Sequence, residues 1–156
     1  MRSHPLLPWA GVAVRILAGG IFIFTGVAKI ADGLATFEDK VAKYQLLPHV
    51  LTAPFAYALP FVEIFVGLYL VVGLMTRVAA AASVALMVMF LIAIGQAWAR
   101  GLAIDCGCAG AALQEKVGPW AFLRDAALGV PSLVILLWPA RLLSLDRLFF
   151  ARPAPA

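Results

Sequence analysis

Apolar residues do not alternate with polar ones along this chain; they run on. Four stretches, approximately 9–31, 54–75, 78–99 and 118–140, are long and apolar enough to cross a bilayer. A hydrocarbon core about 30 Å thick needs about 20 helical residues at about 1.5 Å of rise each. Few charges interrupt these runs. Arg15 and Lys29 fall near the two ends of the first, where long side chains can snorkel to an interface. Glu63 lies nine residues past Pro54 in the second, and the third holds no formal charge. The fourth becomes uncharged only from Ala126, so Arg124 and Asp125 belong near its interfacial end.

The connections differ in character. The second and third runs meet at "GLMTRV", a tight turn holding Arg77. Between the first and second, Phe37, Val41 and Tyr44 recur at helical spacing, with Glu38, Asp39, Lys40 and Lys43 elsewhere on the turn. That pattern predicts a short amphipathic helix at the membrane surface, which "LLPH" at residues 46–49 then breaks. Small residues (Gly19, Gly20, Gly26, Gly67, Gly73 and the Ala79–Ser83 run) allow helices to approach closely. The expected fold class is all-α: a polytopic four-transmembrane-helix bundle with a short amphipathic interfacial helix between helices 1 and 2. Residues 1–156 form a single membrane domain with a disordered tail at 151–156. The apolar start is read as an uncleaved first span rather than a signal peptide, because Arg15 interrupts the region that would have to be uniformly apolar.

Composition agrees with lipid as the solvent. Hydrophobic residues make up 64% of the chain and charged ones 13%, too little polar surface to cover a soluble domain of this size. The net charge of +4 comes from basic residues scattered singly at the edges of apolar runs. Such charges orient membrane helices, and no basic patch points to nucleic acid. With four spans, both termini share one side and the residue 100–117 loop shares the other with the amphipathic segment. The terminal side holds Arg2, Arg77, Arg141, Arg147 and Arg152, against Lys40, Lys43, Arg100 and Lys116 opposite. That bias favours cytoplasmic termini and an extracytoplasmic loop; the plasma membrane of a bacterial cell is the expected setting.

The loop carries the chemistry. "AIDCGCAGA" holds the only two cysteines, Cys106 and Cys108, separated by one glycine. Glycine gives the backbone the freedom that closing so small a disulfide ring requires, and a strained, exposed disulfide exchanges readily. A bridge across one residue closes almost no chain, so a purely structural role contributes little stability. Arg100 and Arg124 are candidates to favour the thiolate, the reactive form; Asp105 would oppose it or accept a proton. Two cysteines do not complete a tetrahedral zinc site, and His49 is the one plausible third ligand. A two-coordinate soft ion such as Cu(I) would suit the thiolates, though no metal site is assigned.

Charges inside the spans cost a few kcal/mol each and imply partners or function. Lys29, Glu63, Arg124 and Asp125, with Gln96 near the end of the third span, are candidates for a polar pocket under the cysteine loop. It would either hold the bundle together as an ion-pair network, or bind a quinone-like head group or relay protons. Trp98 is a candidate lining residue, and Trp120 reads as an interfacial belt residue.

These residues together resemble a known family. "ILAGGIFIFTGVAKIAD" and "LPFVEIFVGLYLVVGLMTR" are similar to the opening helices of DoxX-like membrane proteins, and "VAKYQLLP" to the segment between them. "IDCGCAG" followed by "VGPWAFLRDAAL" resembles the MauE (methylamine utilisation) branch. Ala109 departs from the pattern, which has a bulky aromatic after the second cysteine. The resemblance implies a redox-associated membrane protein, with Cys106 and Cys108 as the redox pair and Glu63, Arg124 and Asp125 as family-typical charges. It also implies either maturation of a disulfide-rich extracytoplasmic client beside a thioredoxin-like partner, or quinone reduction. Three functions follow as expectations. The first is a thiol–disulfide oxidoreductase relaying electrons between that partner and a membrane quinone, with either sulfur open to attack. The second is a non-catalytic assembly factor or anchor for a secreted redox enzyme. The third is Cu(I) handling.

Overall fold

The computed structural model describes residues 7–107 and 115–137; Cys108 and the 151–156 tail lie outside them. The described chain is five helices: α1 (Leu7–Asp32), α2 (Leu34–Lys43), α3 (His49–Val72), α4 (Thr76–Ala99) and α5 (Pro119–Leu137). All but α2 are long and apolar enough to cross a membrane. The predicted all-α class and the short helix between the first two spans are both present.

The boundaries show which local signals act. The second span begins at His49, not Pro54, because Pro48, with φ −55°, already sets the helical entry. It ends at Val72, since Gly73 adopts the left-handed conformation that closes a helix. Arg77 consequently lies in the first turn of α4 rather than in the connecting turn.

The spans pack as a ring of antiparallel neighbours. α1 lies on α3 and α4 on α5, and α1–α5 and α3–α4 contacts close the circle. The α1–α3 crossing is the tightest: a Cβ on Gly19 would stand 2.5 Å from the Gly67 carbonyl, and one on Gly67 2.6 Å from the Gly19 carbonyl. In lipid, where apolar side chains gain little by leaving the solvent, such backbone proximity is what dispersion forces can exploit. Outer faces carry Phe24, Phe65, Ile92 and Leu133, all exposed as a bilayer requires.

The amphipathic segment does more than lie at the surface. Phe37 of α2 is buried against Ala56 and Leu59 of α3, and Lys40 pairs with Asp32 at 2.5 Å. α2 thereby becomes a fifth wall at the end of the bundle that holds the cysteine loop.

The two cations of α1 do not snorkel. Arg15 and Lys29 are each 1% exposed. Arg15 donates to the carbonyls of Leu70 (2.9 Å) and Val71 (3.3 Å) at the C-terminus of α3. There the unsatisfied carbonyls and negative dipole end favour a cation. Lys29 turns inward to Glu63. In both cases a partner on α3 outcompetes the interface.

Candidate functional site

The cysteine loop is built on one short ribbon. Asp105 and Lys116 form an antiparallel bridge, flanked by hydrogen bonds from the Cys106 N–H to the Glu115 carbonyl (2.7 Å) and from the Val117 N–H to the Ile104 carbonyl (2.8 Å). Gly107 has φ +67°, the left-handed region glycine enters without strain. Cys106 is disulfide-bonded. It is also 5% exposed, packed against Ile94 and Ala121. The expectation of an exposed sulfur therefore fails for Cys106: α4 and α5 cover it. Asp105, one residue earlier, is on the surface.

A clamp fixes this loop to the α2–α3 connection. The Tyr44 hydroxyl donates to the Cys106 carbonyl at 2.7 Å. The Tyr44 carbonyl in turn accepts from Gln96 Nε2 (3.0 Å) and Arg100 Nη1 (3.3 Å), and Arg100 also donates to Gln45 Oε1 at 2.7 Å. Burial, reinforced by the negative charges of Asp125 and Asp105, holds the Tyr44 phenol well above its ordinary pKa, so it stays a neutral donor. Arg100 and Gln96 are thus occupied by the clamp. Trp98 is 49% exposed and faces out, as is Trp120.

Arg124 is the cation at the sulfur. Its Nη2 lies 4.0 Å from Cys106 Sγ. It also donates to Asp125 Oδ1 (3.1 and 3.0 Å) and is paired with the Glu115 carboxylate. Lys29 and Glu63 form a separate, fully buried pair, Lys29 Nζ donating to both carboxylate oxygens at 2.6 and 2.7 Å. The four predicted charges therefore resolve into two ion-paired groups, with Asp125 acting on Lys29 at longer range.

Beside the sulfur lies a cleft of about 360 Å³. Phe37 and Val41 of α2, Phe55 and Leu59 of α3, and Met89 and Phe90 of α4 wall it; Lys29, Lys40, Tyr44 and Cys106 are its polar or reactive lining. Lys29 Nζ stands 4.8 Å from the Phe90 ring centroid and 5.5 Å from that of Phe37, within cation–π range. The rim residues Leu46, Val88 and Ile92 are exposed on the apolar exterior. Of the five residues expected to form a polar pocket, Lys29 lines this cleft; Glu63 supports Lys29 from behind, Arg124 and Asp125 sit on the α5 side of Cys106, and Gln96 is in the clamp. Among the described residues no three His, Cys, Asp or Glu side chains converge as a metal site would require.

Sequence reading did not reach the cleft or the pairing of Glu115 with Arg124. The aromatic walls come from three helices far apart in the chain and carry no joint sequence signal. Tyr44 did carry one, the continuation of the Phe37–Val41 stripe.

Four apolar spans and a buried, ion-paired interior define a multi-pass membrane protein. The chain belongs to the MauE family: the profile described as "Methylamine utilisation protein MauE" matches residues 7–139. It is 37% identical over 105 residues to the methylamine utilization protein MauE of Methylophilus methylotrophus, covering 66% of this chain and 55% of that one. It is 37% identical over 95 residues to that of Methylorubrum extorquens strain AM1, covering 60% and 51%. The chain thus spans about half the length of the curated relatives it matches. No solved structure matches it.

Proposed function

We propose that this protein is a membrane accessory protein of methylamine utilisation that performs thiol–disulfide exchange. In this reading Cys106 and Cys108 form the redox pair, the cysteine loop is extracytoplasmic, and the termini lie in the cytoplasm of a bacterial cell. A thiolate of a thioredoxin-like partner or disulfide-rich client attacks one sulfur of the pair, forming a mixed disulfide as the pair's S–S bond breaks. The partner's second thiol resolves that bond. The partner leaves oxidised, and the pair holds two electrons and two protons as a dithiol.

The observation that carries the reading is the position of Cys106, between the Arg124 guanidinium on one side and a lipid-facing apolar cleft on the other. The lining of the cleft would suit the head group of a membrane quinone. Phenyl walls suit a flat apolar ring, and Lys29 uses two of its three N–H donors on Glu63, leaving one for a carbonyl oxygen. A quinone bound there would accept the two electrons and two protons and leave the disulfide restored.

The test is oxidation of a reduced thioredoxin-like protein by membranes containing the protein and a soluble quinone analogue. Cys106→Ser and Cys108→Ser should each abolish it; unchanged rates in both would reject the relay. The burial of Cys106 favours one alternative, a non-catalytic anchor for client maturation. Cysteine variants that still support maturation, with Tyr44→Ala failing to, would select it.

A further inference from the structure

The relay as stated leaves both sulfurs equivalent. We infer that Cys106 is the one that carries the thiolate when the disulfide opens, and that Arg124 is the positioning residue that holds this charge. The inference rests on the thiol–disulfide reading.

Every element around Cys106 contributes to its electrostatics. From α5, Arg124 Nη2 stands 4.0 Å from Sγ and Asp125 accepts from Arg124. From the loop, Glu115 does two things at once: its carbonyl takes the Cys106 N–H at 2.7 Å, and its carboxylate pairs with Arg124. Tyr44, following α2, presents a neutral hydroxyl to the Cys106 carbonyl. Lys29 of α1 and Lys40 of α2 line the same cleft, and a Cβ on Gly107 would meet the Lys40 stem at 3.3 Å. α4 contributes apolar Ile94, and its terminal Arg100 is turned to Tyr44 and Gln45. Asp105 precedes the cysteine and is exposed. Among the described cations, the guanidinium of Arg124 is the one within contact distance of the sulfur.

The two ends of a disulfide are not alike in exchange: one sulfur bonds to the incoming thiolate, and the other departs with the bonding pair. Cys106 as a residue is only 5% exposed, which disfavours attack at its sulfur by an incoming thiolate; the new bond then forms at Cys108, and Cys106 departs as the anion. A thiolate in apolar surroundings is costly, and a cation at contact distance reduces the cost. The leaving sulfur with the lower pKa leaves faster. Arg124 divides its charge among Sγ, Asp125 and Glu115, so Glu115 sets how much reaches the sulfur. Changes at the two ends of the Arg124–Glu115 pair should then move the Cys106 thiol in opposite directions.

The experiment is the pH dependence of iodoacetamide alkylation of the full chain in lipid nanodiscs, in a Cys108→Ser background where Cys106 is the sole thiol. Arg124→Gln should raise the alkylation midpoint by about one unit, Arg124→Lys should recover part of that shift, and Glu115→Gln should lower the midpoint. A midpoint that stays put or falls in Arg124→Gln overturns the inference. If Arg124→Gln does not fold, Glu115→Gln decides, since it keeps the guanidinium; a midpoint that does not fall overturns it. Because alkylation needs neither partner nor quinone, shifts as expected without turnover would reject the relay and leave the thiolate assignment standing.

Discussion

Arg15 and Arg124 are both arginines near an end of an apolar helix, yet the bundle uses them differently. Arg15, 1% exposed, is seated on the Leu70 and Val71 carbonyls, where α3 runs out of backbone donors. Its charge completes a helix end. Arg124, in the second turn of α5, is partly exposed and shared between two carboxylates and a sulfur. A guanidinium that closes a helix end is a structural charge. In the proposed relay, one shared with groups that gain and lose protons and electrons is not. The end of the bundle near Arg15 reads as architecture, and the end near Arg124 as chemistry.

The sharpest way to break this contrast lies between the two arginines, at Lys29 and Glu63. Removing one partner of a fully buried pair strands the other, so Lys29→Leu or Glu63→Leu should each cost about 3–5 kcal/mol. The double replacement should recover most of it while losing any quinone-dependent turnover. Thermal unfolding of the three variants in nanodiscs checks this. A loss in the double variant equal to the sum of the two single losses would mean that the pair's charges are not coupled.

Arg15→Leu comes next. It removes charge-assisted hydrogen bonds to two carbonyls, and a loss of about 1–3 kcal/mol is expected. The alkylation profile of Cys106 should stay where it is. A change in that profile would join the two ends of the bundle and erase the distinction.

Tyr44→Phe should have the smallest effect, about 1 kcal/mol for one hydrogen bond to the Cys106 carbonyl. It also carries a pH signature. The folded-state pKa of Tyr44 is raised above the ordinary value of about 10. Its stabilisation is therefore complete below that value and is lost as the pH climbs past it towards the folded-state pKa. The difference in stability between wild type and Tyr44→Phe should shrink above about pH 10; a difference that grew would contradict the clamp.

Much of the bundle was legible in the chain because hydropathy and span length are local properties. The four spans, the Phe37–Val41–Tyr44 stripe and the close-packing glycines Gly19 and Gly67 all appear where the sequence places them. Helix ends were less legible because proline and glycine compete for them. Pro48 and Gly73 set the limits of α3, while Pro54 sits inside it. Partners were least legible. Snorkelling was a reasonable expectation for Arg15 and Lys29 until α3 offered a helix C-terminus to one and Glu63 to the other. The apparent cluster of Lys29, Glu63, Arg124, Asp125 and Gln96 separated into three environments because each side chain answers to the helix it faces, which spacing along one helix does not reveal.

The most direct test of the redox account is labelling of intact cells with a membrane-impermeant maleimide, before and after mild reduction. The account predicts little labelling of the pair before reduction and labelling of at least one of its sulfurs afterwards, without breaching the inner membrane. Labelling that required an opened cytoplasm, or thiols that remained reduced throughout growth, would contradict it.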